Sequence, residues 1–304
     1  MTHQPTSDSD PATATFVTHR NLLFTVAYEI LGSAADAEDV LQETWLRWAE
    51  VDLAEVREPR AYLVRITTRQ ALNRLRTAQR RRETYVGPWL PTPLHTTADV
   101  GEDIELAETV SMAMMLVLET LSPTERAVFV LREVFDVSHG EIAAAVDKSP
   151  AAVRQIAHRA RQHVEARRPR EVVSVAETRQ VMESFQRAVA GGDLQGLLDV
   201  LAPGVVLIAD GGGVRQAVAR PIEGADKVAR LGLGALRKVE RPGDKVSMEL
   251  TMVNGRPALL FRLNGEVDGI MAAHVAEGRI SSLYYVRNPA KLEHLVDPAP
   301  LALR

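Results

Sequence analysis

The chain has 304 residues, 46% of them apolar and 25% charged, which is material for about two or three globular domains. It contains no cysteine, which excludes disulfides, thiolate metal sites and thiol redox sensing. A formal net charge of −4 argues against a protein that coats DNA unaided, and no apolar run is long enough to span a bilayer. Residues 1–14 are rich in Thr, Ser, Asp and Pro, with neither a basic start nor an apolar run. The stretch 1–15 therefore reads as a disordered N-terminus without a signal peptide, and the protein as cytoplasmic.

Ser33-Ala34-Ala35-Asp36 reads as a helix start, with Ser as cap and an acid in the first turn. Ala37, Val40, Leu41, Thr44, Trp45 and Trp48 then recur at steps of three and four, which makes one apolar stripe. Asp36, Asp39, Gln42, Glu43 and Arg47 fall largely on the other side. Pro59 opens a further helix, in which Leu63, Ile66, Leu72 and Leu75 are candidates to bury while the arginines project outward. Residues 57–82 hold nine arginines and one acid, Glu58, whereas the acids gather in 36–50 and 102–125. A basic block and an acidic block indicate two different partners. Residues 16–82 read as one all-helical unit.

A linker, 83–104, contains Gly87-Pro-Trp-Leu-Pro-Thr-Pro-Leu94. Three prolines make it a stiff ribbon, and its Trp and two Leu need a surface to lie on. A second helical unit follows over 105–168. Ser122-Pro-Thr-Glu125 and Ser138-His-Gly-Glu141 are capping boxes, and Ser149-Pro150 is a cap with Pro at the first helical position. The short gap between the last two helices is helix-turn-helix spacing. In the last helix Val153, Ile156, Ala157, Ala160 and Val164 form the stripe to bury. Arg154, Gln155, His158, Arg159 and Arg161 are left facing out, where Arg suits guanine, Gln suits adenine and further arginines suit phosphates. The alternative is a solvated basic helix in a helical bundle.

From Val175 an amphipathic helix runs to Ala190, and Gly191-Gly192-Asp193 ends it. After a short helix and the sequence Asp210-Gly-Gly-Gly213, another helix precedes four strand-like runs. Asn254-Gly255, Asn264-Gly265 and Glu277-Gly278 are the turns between them. Helices first and a curved antiparallel sheet after is an α+β pattern over 175–293, with 294–304 a C-terminal tail.

Together these segments resemble a sigma factor of the extracytoplasmic-function type with a fused C-terminal SnoaL-like domain. The implied fold is multidomain: two all-α sigma domains, the second with a helix-turn-helix, and then an α+β cone. Asp36-Ala-Glu-Asp-Val-Leu-Gln-Glu-Thr-Trp-Leu-Arg47 resembles the segment that grips RNA polymerase core, which assigns Asp36, Asp39, Gln42, Glu43 and Arg47 to that contact. Residues 59–76 resemble the segment that opens and reads the −10 promoter element. It assigns Arg57, Arg60, Tyr62, Arg65, Arg69, Asn73 and Arg74 to DNA. Tyr62 suits an unstacked base and equally suits a core. Arg69 stands where many relatives carry asparagine. Residues 121–164 resemble the −35 reader.

The marks of the subgroup with the fused tail are Trp89-Leu-Pro-Thr-Pro-Leu94, Asp210-Gly-Gly-Gly213 and Asn288-Pro-Ala-Lys-Leu292, with Thr92 and Ala290 standing where an acid is usual. They imply a regulatory contact made by Trp89, Leu90, Pro91, Pro93 and Leu94 with Asp210, Gly211, Gly212, Gly213, Asn288, Pro289, Lys291 and Leu292. The alternative is that Trp89 staples to its own helical domain. The function implied is a promoter-selecting subunit regulated in cis by its tail, with RNA polymerase core and promoter DNA as partners, no membrane and no cofactor. The rival is a small-molecule sensor or a SnoaL-type isomerase or cyclase, tethered to the transcription machinery. It implies an unidentified small-molecule ligand, with Asp210, Asp268, His274, Tyr284 and Tyr285 as the polar candidates in an apolar cone. No spacing among them singles out a pair, and the eight histidines show no metal-ligand spacing.

Overall fold

The structure, a computed structural model, describes residues 10–97, 104–168, 173–239, 244–295, 298–299 and 301–303. The first unit consists of α1 (Pro11–Leu31), α2 (Ala34–Ala49) and α3 (Pro59–Arg82). Ser33 caps α2 by accepting from the Asp36 N–H. α1 begins at Pro11, inside the stretch expected to be disordered; residues 1–9 lie outside the described residues. The cause is tertiary: the fully buried Trp48 donates its indole N–H to the Ala12 carbonyl at 2.8 Å.

The second unit comprises α4 (Ile104–Thr109), α5 (Met112–Glu119), α6 (Pro123–Phe129), α7 (His139–Val146) and α8 (Pro150–Glu165). A π-helical turn, Val130–Val134, continues α6. Ser122–Glu125 and Ser138–Glu141 form complete capping boxes, so α6 and α7 start where their sequences say. Asp147, at φ 56°, turns the chain from α7 into α8. The two helical units share one hydrophobic core. Leu63 and Leu72 of α3 lie in the same cluster as Ile142 and Val146 of α7.

The third unit begins with α9 (Val175–Ala190) and α10 (Leu194–Val200). It continues with β1 (Leu201–Asp210), β2 (Ile222–Glu223), α11 (Ala225–Val239), β3 (Val246–Val253), β4 (Arg256–Leu263), β5 (Glu266–Ala276), β6 (Arg279–Val286) and α12 (Pro289–Leu292). The sheet order is β2-β1-β6-β5-β4-β3. It is mixed rather than wholly antiparallel, because β1 pairs in parallel with β6. Pro203, which lacks an N–H, falls within the register shift of β1. The three turns joining β3 to β6 place Asn254, Asn264 and Glu277 at positive φ, each followed by a Gly at positive φ, as tight hairpins require.

One face of this sheet packs on α9 and α11 through Leu207, Leu259, Met271 and Leu283. The other face carries Val253, Ala258, Ile270, Ala272, Tyr284 and Val286, and the linker residue Leu90 and Met112 of α5 cover it. The strand alternation thus gives the cone one private core and one core shared with the rest of the chain. The last described residues also return to the helical half. Ala299 donates to the His95 carbonyl at 2.7 Å, Ala302 to the Thr25 hydroxyl at 2.9 Å, and Leu301 and Leu303 pack on the helical core.

Candidate promoter interface and interdomain latch

On α2, Gln42, Glu43 and Arg47 are exposed beside Leu46, whose relative exposure is 64%. An apolar side chain left open among charges suits a protein partner better than DNA. Asp36, Asp39 and Glu43 all face Arg74 of α3: its guanidinium lies 2.6 Å from Asp36 and 3.5 Å from Glu43, and also meets Asp39. Arg74 is thereby drawn away from the DNA face assigned to it. It lies where α3 crosses α2, and three carboxylates hold it there.

The rest of the α3 face looks toward the second unit. Arg69 donates to the Ala144 carbonyl of α7 at 2.9 Å. Arg60 and Arg65 line a cleft opposite Asp136 and Glu141. Asn73 and Arg69 line another with Val146, Asp147 and Lys148. Tyr62 is half-buried, its ring 5.8 Å from that of Trp48 with Arg65 4.7 Å above it, so it serves the core in this arrangement. Arg57 is exposed.

The helix-turn-helix differs. On α8 the stripe Val153, Ala157, Ala160 and Val164 is buried, with Ile156 packed beside it, while Arg154, Gln155, His158 and Arg159 are all exposed. Arg161, also exposed, is engaged by Glu133 at 2.6 Å.

The linker is gripped from the cone at two places. At the first, the Asp210 carboxylate is fully buried at the end of β1. It accepts from the Tyr85 hydroxyl at 2.6 Å, the Leu90 N–H at 2.9 Å, the Gly212 N–H at 3.0 Å and the Lys291 ammonium at 2.7 Å. Lys291, on α12, also donates to the Leu90 carbonyl. Burial pushes Lys291 down to about 8, and the Asp210 charge opposes that shift. Burial first and then the Asp210 carboxylate push the Tyr85 phenol up, so Tyr85 remains a donor. Asn288 caps α12 and donates to the Tyr85 hydroxyl at 2.7 Å. Leu292, buried, packs with Leu90, and Pro289 occupies the first position of α12. The glycines of the Asp210 turn are sterically required: a Cβ on Gly212 would stand 2.5 Å from the Asn288 amide, and one on Gly211 would stand 2.1 Å from the Arg215 carbonyl. Gly213 lies against Val86 of the linker.

The second grip is Asn254, fully buried in the β3–β4 turn. Its backbone N–H donates to the Leu94 carbonyl and its side-chain oxygen accepts from the Leu94 N–H, both at 2.9 Å. Its amide nitrogen donates at 2.8 Å to the Tyr28 hydroxyl and to the Val110 carbonyl. Tyr28 in turn donates to the Thr92 carbonyl at 2.7 Å. One turn therefore ties cone, linker and both helical units. The Asn-Gly pair reads in sequence only as a hairpin signal.

Between the grips, Pro91 and Pro93 are buried, Leu90 enters the cone's shared core and Leu94 the helical core. Trp89 is half-buried between Arg82, 3.6 Å from its ring centre, and Lys291, 4.1 Å away. It thus touches both its own helical unit and the tail. Arg82 of α3 and Arg126 of α6 share the Glu119 carboxylate, and Arg126 donates to the Glu29 carbonyl at 2.7 Å. The Glu29 side chain is fully buried, neither oxygen has a partner within hydrogen-bond geometry among the described residues, and burial pushes its carboxyl up to about 8, against the nearby Thr109 hydroxyl and Arg126. Sequence reading missed this node and Tyr85: the node's members are single charged residues in helices, Tyr85 is a single aromatic in the linker, and no local pattern marks them.

The cone scatters the polar candidates. Asp210 belongs to the latch, and Tyr284 lies in the shared core. His274 borders a separate cleft with Arg256, and burial, then Arg256, lowers its pKa. Only Asp268 and Tyr285 reach the interior cavity.

Comparison with known proteins agrees with this architecture. The family model of sigma-70 region 2 matches residues 15–81, and that of sigma-70 region 4 matches residues 111–164. The ECF RNA polymerase sigma factor SigJ of Mycobacterium tuberculosis is 37% identical over 284 residues, covering 90% of each chain. A second M. tuberculosis protein, described as a probable ECF RNA polymerase sigma factor, SigI, is 31% identical over 292 residues, covering 95% of this chain and 97% of the relative. The crystal structure of SigJ superposes with a TM-score of 0.74 at 31% identity, over 96% of this chain and 99% of that one. With both sigma regions, the helix-turn-helix and full-length likeness to SigJ in place, the chain belongs to the ECF RNA polymerase sigma factors.

Proposed function

We propose that this chain is an alternative sigma factor whose C-terminal cone holds it closed in cis. It directs RNA polymerase core to promoters. The acidic face of α2 with Leu46 meets core, α3 reads the −10 element, and α8 reads the −35 element with Arg154, Gln155, His158 and Arg159. In this arrangement the two readers are held side by side, with Arg69 of α3 on the α7 backbone and Arg60 and Arg65 across a cleft from Glu141. The observation that carries the regulatory reading is the buried Asp210 carboxylate, which takes donors from the linker and from α12 together. The cone acts on the linker by direct contact, through the Asp210 and Asn254 grips.

Run-off transcription with purified core polymerase tests this. Cutting the chain after Arg287 removes Lys291 and leaves Asp210 buried without its counter-charge, which is strongly unfavourable. The cut is expected to raise transcription from the target promoter, and Trp89→Ala to reproduce part of the rise. The two effects should be less than additive, since they break one interface. No change in a folded, truncated chain refutes regulation by contact.

A further inference from the structure

The cone holds a cavity of about 160 Å³, open to solvent at one side, between the sheet and the helices α9 and α11. Its walls are apolar, with Phe185 from α9, Leu231 from α11, and Leu207, Phe261 and Met271 from the sheet. An apolar space of this size is large enough for a body such as a benzene ring or a short branched chain. One end is polar. Asp268 accepts from Arg287 at 2.8 Å and from the Tyr285 hydroxyl at 3.3 Å, and Arg287 also donates to the Gln216 carbonyl at 2.6 Å. The Nε–H of Arg287 is buried and has no partner among the described residues. One guanidinium group and one carboxylate therefore border the polar end, and one N–H donor of that guanidinium has no partner among the described residues. A buried donor left unpaired is unfavourable, and an anionic acceptor relieves it best.

Arg287 also sits one residue before the latch. Its backbone N–H donates to the Asp210 carbonyl at 2.7 Å, and the Asn288 N–H donates to the same oxygen at 3.0 Å. Its side chain reaches Gln216, a few residues beyond the Gly-rich turn that touches Asn288 and Val86. We propose that the cone binds a small apolar monocarboxylate, its body in the cavity and its carboxylate on Arg287, and that Arg287 passes occupancy to the Asp210 latch and loosens it. A carboxylate that accepts from Nε competes with Asp268 for the guanidinium. The shift of Arg287 then pulls on the carbonyl of the residue that holds Leu90. The relay rests on the reading that the latch restrains the linker; the binding site does not.

Sodium benzoate is the probe and benzyl alcohol its neutral counterpart, both titrated by calorimetry into the full-length chain. Benzoate is expected to saturate one site and the alcohol to bind at least tenfold more weakly. Gly232 lines the cavity mouth, and a Cβ there meets nothing within 4 Å, so Gly232→Phe obstructs the opening without a clash at its base. It and Arg287→Met should each weaken benzoate at least tenfold while the helical content is unchanged. Hydrogen exchange on the same samples should quicken at least fivefold at the Leu90 amide when benzoate is bound, with α8 unchanged. No saturable binding, equal affinity for the alcohol, or binding indifferent to Gly232→Phe overturns the site. Saturable binding with unaltered exchange at Leu90 overturns the relay alone, and the transcription of the truncated chain then still decides whether the tail restrains the linker.

Discussion

The helices α3 and α8 are both basic and amphipathic, both proposed to read DNA, and differently placed. The outward face of α8 is open, with Arg154, Gln155, His158 and Arg159 exposed. The face of α3 is partly engaged: Arg69 holds the α7 backbone, Arg74 is taken by three carboxylates, and Arg82 is bound to Glu119 and the Leu31 carbonyl, while Arg57, Arg60 and Asn73 stay exposed. Composition tells which helices suit phosphates. It does not tell which are free to meet them. In this arrangement the proposed −35 reader is open along its outward face, whereas the proposed −10 reader is fully free only if α7 moves away.

The largest expected effect breaks that asymmetry at its source. Asp210→Ala leaves the Lys291 ammonium buried with only a backbone acceptor, and losing one partner of a buried pair costs about 3–5 kcal/mol. The closed arrangement should open, and cross-linking of α3 to a single-stranded −10 oligonucleotide should rise severalfold while α8 binds as before. Unaltered cross-linking in the folded variant would mean that α3 is covered for a reason unrelated to the latch.

A second effect is set by pH. Glu29 ordinarily titrates near 4.5 and is pushed up to about 8 by burial. Between those values the native state keeps a proton that the unfolded chain has lost. The contribution of Glu29 to stability is therefore greatest below the lower value and declines as pH rises toward 8, by about 2–4 kcal/mol. Glu29→Gln should flatten that slope and be the more stable form at pH 8, as read from denaturant midpoints at several pH values. A wild-type slope that survives in Glu29→Gln assigns it to another group.

Arg154→Ala sharpens the comparison from the open side. It should cost about 1–3 kcal/mol in promoter affinity and relax selectivity at one −35 position, equally in the full-length and truncated chains. A uniform loss across sequences would make Arg154 a phosphate contact instead. The smallest effect belongs to Arg69→Ala, which removes one exposed hydrogen bond to α7 and should favour opening by about 0.5–1.5 kcal/mol. The −10 cross-linking assay with the latch intact would register it as a modest increase.

The local instructions of this chain were legible because they act over three or four residues. Ser122, Ser138 and Ser149 each accept from the backbone N–H three residues on, and their helices start there. The stripe from Val153 to Val164 and the Asn-Gly turns follow from periodicity and from backbone φ. The ribbon needed a partner because three prolines hold apolar side chains extended, and that too was legible. What sequence alone left open is where single residues from distant segments meet. Asn254 is a turn residue by its neighbours and a four-way junction by its contacts with Tyr28, Leu94 and Val110. Arg74 belongs to a basic block by composition and to the acidic face of α2 by position. Tyr284 and Tyr285 are adjacent, yet strand alternation sends one to the shared core and the other to the cavity. Which face of the sheet became which depended on α5 and the linker covering one side. Helix caps and turns are decided by short-range hydrogen bonds within the chain's own neighbourhood, whereas the latch is decided by burial, which exists only once distant surfaces have excluded water between them.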